Sequence, residues 1–433
     1  MSKLEITNPL GVNHVLRGEA VKRDVSFMDL LLQKIKSIES ETGIPRTVFA
    51  ACPNSTSVIK ASLRAAKRNN APIKFAATLN QVDGDGGYTG LTPDQFVFTI
   101  WQEAFLINFN GPVIIAIDHG GPWLKDKHNK EKWRYEDSMN AVKRSFEAAI
   151  QAGYDLIHVD PTIDITLKPG EHIRIEVVAE RTVELILHAE NFRKKLGYPR
   201  IAYEVGTEEV HGGLADLSVF TRFLDLLKSS LEKNGLKDVW PCFVVGKVGT
   251  DLHTSVFDPE VAERLSTIAK KYGSLIKGHY SDNVTNPEDY PKSGMGAANV
   301  GPEFTEQEYD GLIELVDIEN SLFNKALIAK PSDLTNVLWA AVIQSQRWKK
   351  WLLANENAED FYQNDRQRQL WLVKTGCRYI WENPEVLAAR GKLNHNLKTN
   401  GFNAEEILLA RIEKSMDKYF HKFNLVDLND MLL

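Results

Sequence analysis

The sequence predicts an α/β protein closed as a (β/α)8 barrel, with a helical extension before the barrel and a helical tail after it. Two observations carry this reading. Eight short apolar or β-branched runs alternate with longer helical patterns over about 280 residues. Several of those runs also end alike, in carboxylates, imidazoles, amides and glycines. The strongest is Val113-Ile114-Ile115-Ala116-Ile117-Asp118-His119-Gly120-Gly121-Pro122, an apolar strand buried on both faces that ends in an acid, an imidazole and a turn. In a parallel α/β protein the carboxyl ends of the strands open onto the site, so these endings are where chemistry is expected. An open doubly wound sheet is the second architecture, but the first βα turn lacks the G-x-G-x-x-G run that would favour it.

Composition narrows the function classes. The 433 residues are 43% hydrophobic and 25% charged, which is globular, and long enough for one large domain with an appendage. A net charge of -6 without a basic block argues against nucleic acid as a partner. Cys52, Cys242 and Cys377 are odd in number and far apart, which disfavours a disulfide frame or a thiolate zinc site and points to a reducing compartment. Met1 to Lys22 lacks a signal-peptide pattern, and no apolar run reaches the ~18 residues of a spanning helix. A cytoplasmic protein with no membrane association is the expectation.

Taken in order, residues 1–45 are expected to hold one amphipathic helix, Phe27 to Glu41, with Leu30, Leu31, Ile35 and Ile38 on one stripe. The barrel is assigned to residues 46–330. Its strands are expected at Val48 to Cys52, Ile73 to Thr78, Val113 to Asp118, Leu156 to Asp160, Ile201 to Val205, Cys242 to Val245, Leu275 to His279 and Ala297 to Gly301. Helical patterns lie between them, among them Pro93 to Leu106, Asp137 to Ala152, Leu217 to Lys233 and Pro259 to Tyr272. Beyond Lys330 strand signals stop, so residues 331–433 are expected to form a helical tail packed on the barrel. Its tryptophans, Trp339, Trp348, Trp351, Trp371 and Trp381, would fill core or interface.

The strand ends supply the candidate site. They are Asn80-Gln81 after the second strand, Asp118-His119 after the third, His158 and Asp160 at the fourth, and Glu204 and Glu208 around the fifth. His253 follows the sixth, His279 with Asp282 the seventh, and Asn299-Val300-Gly301 closes the eighth. Histidines from different strands with carboxylates between them suit a divalent cation that keeps a position open for substrate oxygens. His158 and Asp160 share a face if both lie on the strand, so one of the pair is expected to be structural. His211 on its glycine loop is expected at the surface.

The chain also resembles the GatZ/KbaZ family, the partner subunits of class II D-tagatose-1,6-bisphosphate aldolase. The resemblance rests on Ala77-Thr78-Leu79-Asn80-Gln81-Val82 leading into Gly86-Gly87-Tyr88-Thr89-Gly90-Leu91-Thr92-Pro93. It continues through Asp118-His119-Gly120-Gly121-Pro122, Ile157-His158-Val159-Asp160, Gly206-Thr207-Glu208, His279-Tyr280-Ser281-Asp282 and Val300-Gly301-Pro302. It reaches Arg347-Trp348-Lys349-Lys350 and Arg378-Tyr379-Ile380-Trp381 in the tail. The family usually has Leu where Gly120 stands and Lys where Asn299 stands.

The resemblance implies a class II aldolase-like barrel whose metal is held by three histidines with a catalytic Asp beside the first. Carried onto this sequence, it makes His119, His253 and His279 the ligands, Asp118 the acid/base and Glu208 a glutamate near the metal. Asn80, Gln81, Asp160, Asp282, Asn299 and Gly301 are expected to line the substrate cleft. The implied cofactor is a divalent metal, Zn²⁺ first with Mn²⁺ or Co²⁺ as alternatives. The implied substrate is a ketohexose or its phosphate of the tagatose or fructose type. The implied partner is an aldolase subunit or further copies of this chain. A divalent ion chelated by the C2 carbonyl and C3 hydroxyl would stabilise the ene-diolate formed when C3–C4 breaks, with Asp118 taking the C4 hydroxyl proton. Release of the aldehyde makes the enzyme an aldolase; attack on its other face makes it a 4-epimerase. The alternative is a non-catalytic subunit that stabilises a partner aldolase.

Overall fold

Strands rich in Val, Ile and Ala are apolar on both faces and need cover on both, which a barrel wrapped in helices provides. In a computed structural model of the chain, residues 11–168, 170–206, 216–251 and 253–433 are described. Eight parallel strands close in chain order, with the last pairing to the first. They are β1 (Val48–Ala51), β2 (Ile73–Thr78), β3 (Val113–Gly120), β4 (Leu156–Val159), β5 (Ala202–Gly206), β6 (Phe243–Val245), β7 (Leu275–Gly278) and β8 (Met295–Val300). The (β/α)8 barrel read from the sequence is therefore the fold.

The helices Pro93–Leu106, Leu217–Lys233 and Pro259–Tyr272 have the bounds that periodicity predicts. Their starts are set by side chains that accept the first free backbone N–H groups. Thr92 and Gln95 form a capping box with Pro93 opening the helix, and Asp216 and Asp258 cap the other two.

Two differences from the sequence reading matter for the site. First, β3 does not stop at Asp118. It runs on to Gly120, with a register irregularity against β4 between Ile117 and Gly120, and His119 takes a left-handed φ of 50°. This local bulge breaks the strict alternation of side chains, and Asp118 and His119 both line the cavity at the barrel mouth. Second, the N-terminal region holds two helices, Val12–Arg23 and Phe27–Thr42, where the sequence suggested one. Val12–Arg23 escapes a periodicity search because its anchor is ionic. Arg17 places Nη1 and Nη2 2.7 and 2.9 Å from the Asp155 carboxylate and donates to Val113 O, tying the helix to the ends where β3 and β4 begin.

The tail packs on the barrel's outer helices. Ala404–Lys422 lies against Thr56–Arg68 and Pro302–Asn324. Arg68–Asp417 (2.8 Å) and Lys60–Glu405 (2.6 Å) flank that contact, and Tyr419 stacks on Phe49 of β1. Two short 3₁₀ turns of the tail, Arg347–Trp351 and Cys377–Tyr379, reach over the barrel mouth. No helix among the described residues is long and apolar enough to cross a membrane.

The bulge depends on close approach of two backbones. A Cβ added at Gly121 would lie 1.8 Å from Asp160 O, so the end of β3 and the loop after β4 can meet only at glycine. Gly121→Ala is expected to destabilise the protein by about 1–3 kcal/mol, the usual range for overpacking, when followed by urea denaturation. A variant as stable as wild type would show that this approach is not required.

Candidate active site

The barrel interior carries ionised side chains where a parallel strand would ordinarily be apolar. Lys74 on β2, Glu204 on β5 and Lys277 on β7 are fully buried, and Asp118 on β3 is 4% exposed. Lys277 Nζ lies 2.5 Å from Glu204 Oε1 and 3.2 Å from Asp118 Oδ1, while Lys74 Nζ reaches Glu204 Oε2 at 3.3 Å. Two ammonium groups thus face two carboxylates, and the cluster is close to neutral. Burial alone would push both carboxyls up, but the Lys277 charge beside each, with Lys74 beside Glu204, holds them well below the usual range. Lys277 is raised by the same partners, whereas burial and the neighbouring Lys277 lower Lys74.

Two histidines complete the cluster from above. His158 on β4 sits in register beside Glu204. His279 follows β7 two residues after Lys277, on the same face. His158 Nδ1 is 3.2 Å from Asp118 Oδ1 and 3.3 Å from Glu204 Oε1, and His279 Nε2 is 3.4 and 3.6 Å from the same two oxygens. Burial lowers the His158 pKa and favours a neutral ring. Its Nδ1 accepts the backbone N–H of His119 at 3.1 Å, and its buried Nε2 has no hydrogen-bond partner. A Cβ on Gly206 would come within 3.1 Å of that Nε2, so the glycine ending β5 makes room for the ring.

These four donors fit a divalent ion. Their ligand atoms all lie within 4.8 Å of one another. The four imidazole–carboxylate spacings, 3.2–3.6 Å, are close to the roughly 3.3–3.5 Å edges of a tetrahedron around a zinc-sized ion, and an ion there would take the His158 Nδ1 lone pair that accepts the His119 N–H. The fit includes a competitor, because the Lys277 ammonium lies against the same carboxylate oxygens.

His119 stands slightly apart and is the more accessible, with its side chain 18% exposed. Its Nδ1 is 2.6 Å from Asp160 Oδ2, and Thr162 Oγ1 donates to the other Asp160 oxygen at 2.5 Å. Burial pushes Asp160 up, but the hydrogen bond and charge of His119 bring it down to about 2. Burial would lower His119; the Asp118 charge and the bond to Asp160 outweigh it and raise its pKa. A second donor group, His119, His158 and Asp160, shares His158 with the first.

Of these residues Asp118, His119 and His279 line a cavity of about 790 Å³, of the size usual for a small-molecule site. Of the six residues expected to line a cleft, Asn80, Gln81, Asp282, Asn299 and Gly301 line this cavity, and Asp160, buried against His119 and Thr162, does not. Several of them brace the wall. Asn80 bonds Leu124 O and the Asp126 N–H, and Gln81 bonds Pro53 O and the Thr78 N–H. Asn299 donates to Asp118 Oδ2 at 3.0 Å. Asp282 accepts the N–H groups of Gly301 and Glu303, at the start of helix Pro302–Asn324.

One sequence expectation falls elsewhere. His253 belongs to neither donor group; it is exposed on the loop after β6, with its ring 5.3 Å from Trp371. Glu208 and His211 lie outside the described residues. His158 and Glu204, which the sequence reading left out of its ligand and catalytic sets, belong to the donor group. The signal for them was the alternation of β4 and β5, which turns His158 and Glu204 inward. Lys74 and Lys277 were passed over, although a lysine inside an otherwise buried strand is itself a mark of an interior charge pair.

Asp282 supplies a measurable consequence. Desolvation pushes its carboxyl up to about 7, against the pull of its two backbone donors. The folded chain therefore keeps this proton between about pH 4 and 7, where the unfolded chain has released it, so stability from this group falls as pH rises through that window. Asp282→Asn stays neutral throughout and is expected to gain on wild type in melting temperature between pH 5 and pH 8. A gap between the two proteins that does not change with pH would contradict the raised pKa.

A family model described as D-tagatose-1,6-bisphosphate aldolase subunit GatZ/KbaZ-like matches residues 32–423. Among solved structures, the chain is similar to one from Sinorhizobium meliloti described as a probable tagatose 6 phosphate kinase. The identity is 22% over 87% of this chain and 100% of that chain, with a TM-score of 0.72. It is also similar to fructose-bisphosphate aldolase from Campylobacter jejuni, at 12% identity over 93% of this chain and 95% of that one, with a TM-score of 0.53. At these identities the structural likeness bears on the fold.

Proposed function

The chain belongs to the GatZ/KbaZ-like family of D-tagatose-1,6-bisphosphate aldolase subunits, and from that premise we propose that its barrel mouth breaks the C3–C4 bond of an open-chain ketohexose or its phosphate by metal-dependent retro-aldol chemistry. The observation that carries this reading is a buried four-donor cluster whose Asp118 and His279 reach the same cavity as His119, which Asp160 holds by Nδ1.

Asp118, His158, Glu204 and His279 would hold the ion, Zn²⁺ being the first expectation, with Mn²⁺ or Co²⁺ accepted by the same donors. When bound, the ion supplies Lewis-acid stabilisation of negative charge developing on the ketose oxygens. In its neutral form His119, with Nδ1–H held by Asp160, presents Nε2 as the proton acceptor. It takes the C4 hydroxyl proton while C4–O becomes a carbonyl and the electron pair of C3–C4 stays on the C3 fragment. The ionised Asp160 stabilises the imidazolium that results.

Geometry favours His119 for the proton over Asp118, the acid/base of the sequence reading. Asp118 is nearly buried and surrounded by Lys277, His158, His279 and Asn299, which hold it ionised and leave it a weak base. Escape of the aldehyde gives an aldolase, and its re-addition on the other face gives the C4 epimer; both begin with the same cleavage. A second reading, an accessory subunit stabilising a partner aldolase, is favoured by membership of a family of aldolase subunits and by the ammonium already set against Asp118 and Glu204.

Incubating the purified chain with tagatose, fructose and their phosphates, with and without a chelator, separates the two. Chelator-sensitive turnover is expected; silence across the panel, with metal added, would favour the accessory subunit. Metal analysis is expected to show loss of the ion in His158→Ala and His279→Ala and full content in His253→Ala. Equal loss in His253→Ala would restore that residue as a ligand. For the proton, His119→Gln is expected to keep the ion and to lower turnover by roughly 10²- to 10⁴-fold, whereas Asp118→Asn is expected to lose the ion. An Asp118→Asn protein that stays folded and metal-loaded but inactive would return the proton to Asp118.

A further inference from the structure

Around the barrel, helices Thr56–Arg68, Tyr135–Ala152, Leu217–Lys233 and Pro259–Tyr272 expose no large apolar side chain. Pro93–Leu106 does. It buries Phe96, Ile100 and Ala104 against its neighbours and, on the opposite face, leaves Phe98 52%, Phe105 59% and Leu106 63% exposed. At about 100° per residue Asp94, Phe98 and Phe105 fall along one line, with half-buried Trp101 on one side of it and exposed Gln102 on the other. Phe98, Phe105 and Leu106 together present roughly 300 Å² of apolar surface, the size at which a patch marks a contact. None of these residues lines the cavity at the barrel mouth, so the face has no part in the chemistry proposed above.

The spacing reads the same in both directions. Phe98 and Phe105 are equidistant from the point between Trp101 and Gln102, so a second copy of the helix laid antiparallel across that point sets each Phe98 against the other copy's Phe105. We propose that this face is the contact between two copies of the chain, related by a two-fold axis that passes between Trp101 and Gln102. Charge is matched by the same operation. Asp94 is exposed at the start of the helix and Lys67 at its end, with Nζ 2.5 Å from Ile107 O, and neither has an ion pair among the described residues. Antiparallel packing brings the acidic end of each helix to the basic end of the other. The paired patches would bury roughly 600 Å², about a third to a half of a standard interface, and the outer faces of Thr56–Arg68 and Tyr135–Ala152, which pack on this helix, supply the rest. A lipid surface would call for basic flanks, whereas the residues beside the phenylalanines are Asp94, Gln95 and Gln102.

The test is sedimentation equilibrium of the full chain. A reversible dimer is expected to form between about 1 and 100 μM. Phe98→Glu and Phe105→Glu each set carboxylates into the apolar contact and should weaken dimerisation by roughly a hundredfold or more. Both side chains are half exposed in the single chain, so melting curves of the variants at the lowest concentration should match wild type. A second kind of variant reads the symmetry itself. Gln102 lies beside the proposed axis and faces its own image, so Gln102→Cys is expected to form an interchain disulfide under mild oxidation. Gln95→Cys, whose image lies about 20 Å further along the helix, is expected not to. Were either glutamate variant unfolded, the cysteine pair would decide. Wild type that stays monomeric throughout, even if the patch takes up a different protein, would overturn the proposal. So would a dimer that survives both glutamate variants, or one that links through Gln95→Cys and not through Gln102→Cys.

Discussion

Inside the barrel, the ammonium of Lys277 lies between the carboxylates of Asp118 and Glu204, with Lys74 on the far side of Glu204. Charges removed from water this completely persist only when each has opposite partners and hydrogen bonds at close range. The arrangement sets the electrical state of everything above it. It holds two carboxylates ionised that burial alone would protonate, and so gives His158 and His279 two anionic neighbours. It also makes the cluster nearly neutral before any ion arrives, so Lys277 and a divalent cation would share the same oxygens. Removing a single member would leave the others unbalanced in a low-dielectric interior, which makes the network a condition of the fold as much as of the chemistry.

Above this layer the site divides into a part that is held and a part that is exposed. His158, Glu204, His279 and Asp118 are buried and mutually bonded, while His119 faces the cavity and is steered by Asp160. The bulge at the end of β3 makes the division. Regular alternation would have turned one of Asp118 and His119 away from the mouth; the left-handed φ of His119 and the glycine contact with Asp160 keep both in it. The strain of that conformation sits where two adjacent side chains are needed on one side.

The tail is the other half of the site. Its two short turns bring arginines and aromatic rings over a mouth whose other walls come from the barrel, and Arg347 and Lys350 are tied to Asp126, which opens the short helix Asp126–Lys130 after β3. Motifs near the end of the chain that have no place in a bare barrel thereby acquire one. The ion pairs of Ala404–Lys422 with Thr56–Arg68 hold the tail in position on the outer surface.

Much of this was legible in the residues alone. The eight strands, the order of their endings and the helical tail follow from local periodicity, apolar runs and turn residues, because each depends on neighbours a few positions away. Asp118, His119 and His279 were visible as polar groups at strand ends, and the Arg347 and Arg378 motifs were visible without a role. What remained hidden was which endings meet. His158 and Glu204 were left out of the site and His253 taken into it, although alternation along β4 and β5 turned the first two inward, because a short strand does not reveal how far its loop carries the next histidine from the mouth. Lys74 and Lys277 looked like interruptions of apolar runs until closure set β2 and β7 around β5. The sequence by itself determined the strands, the inward faces and the chemistry each strand end had to offer. Only the tertiary structure decided the grouping, because a cluster drawn from β2, β3, β4, β5 and β7, and a cavity wall drawn from the tail, are contacts between residues far apart in the chain that exist only once the barrel has closed.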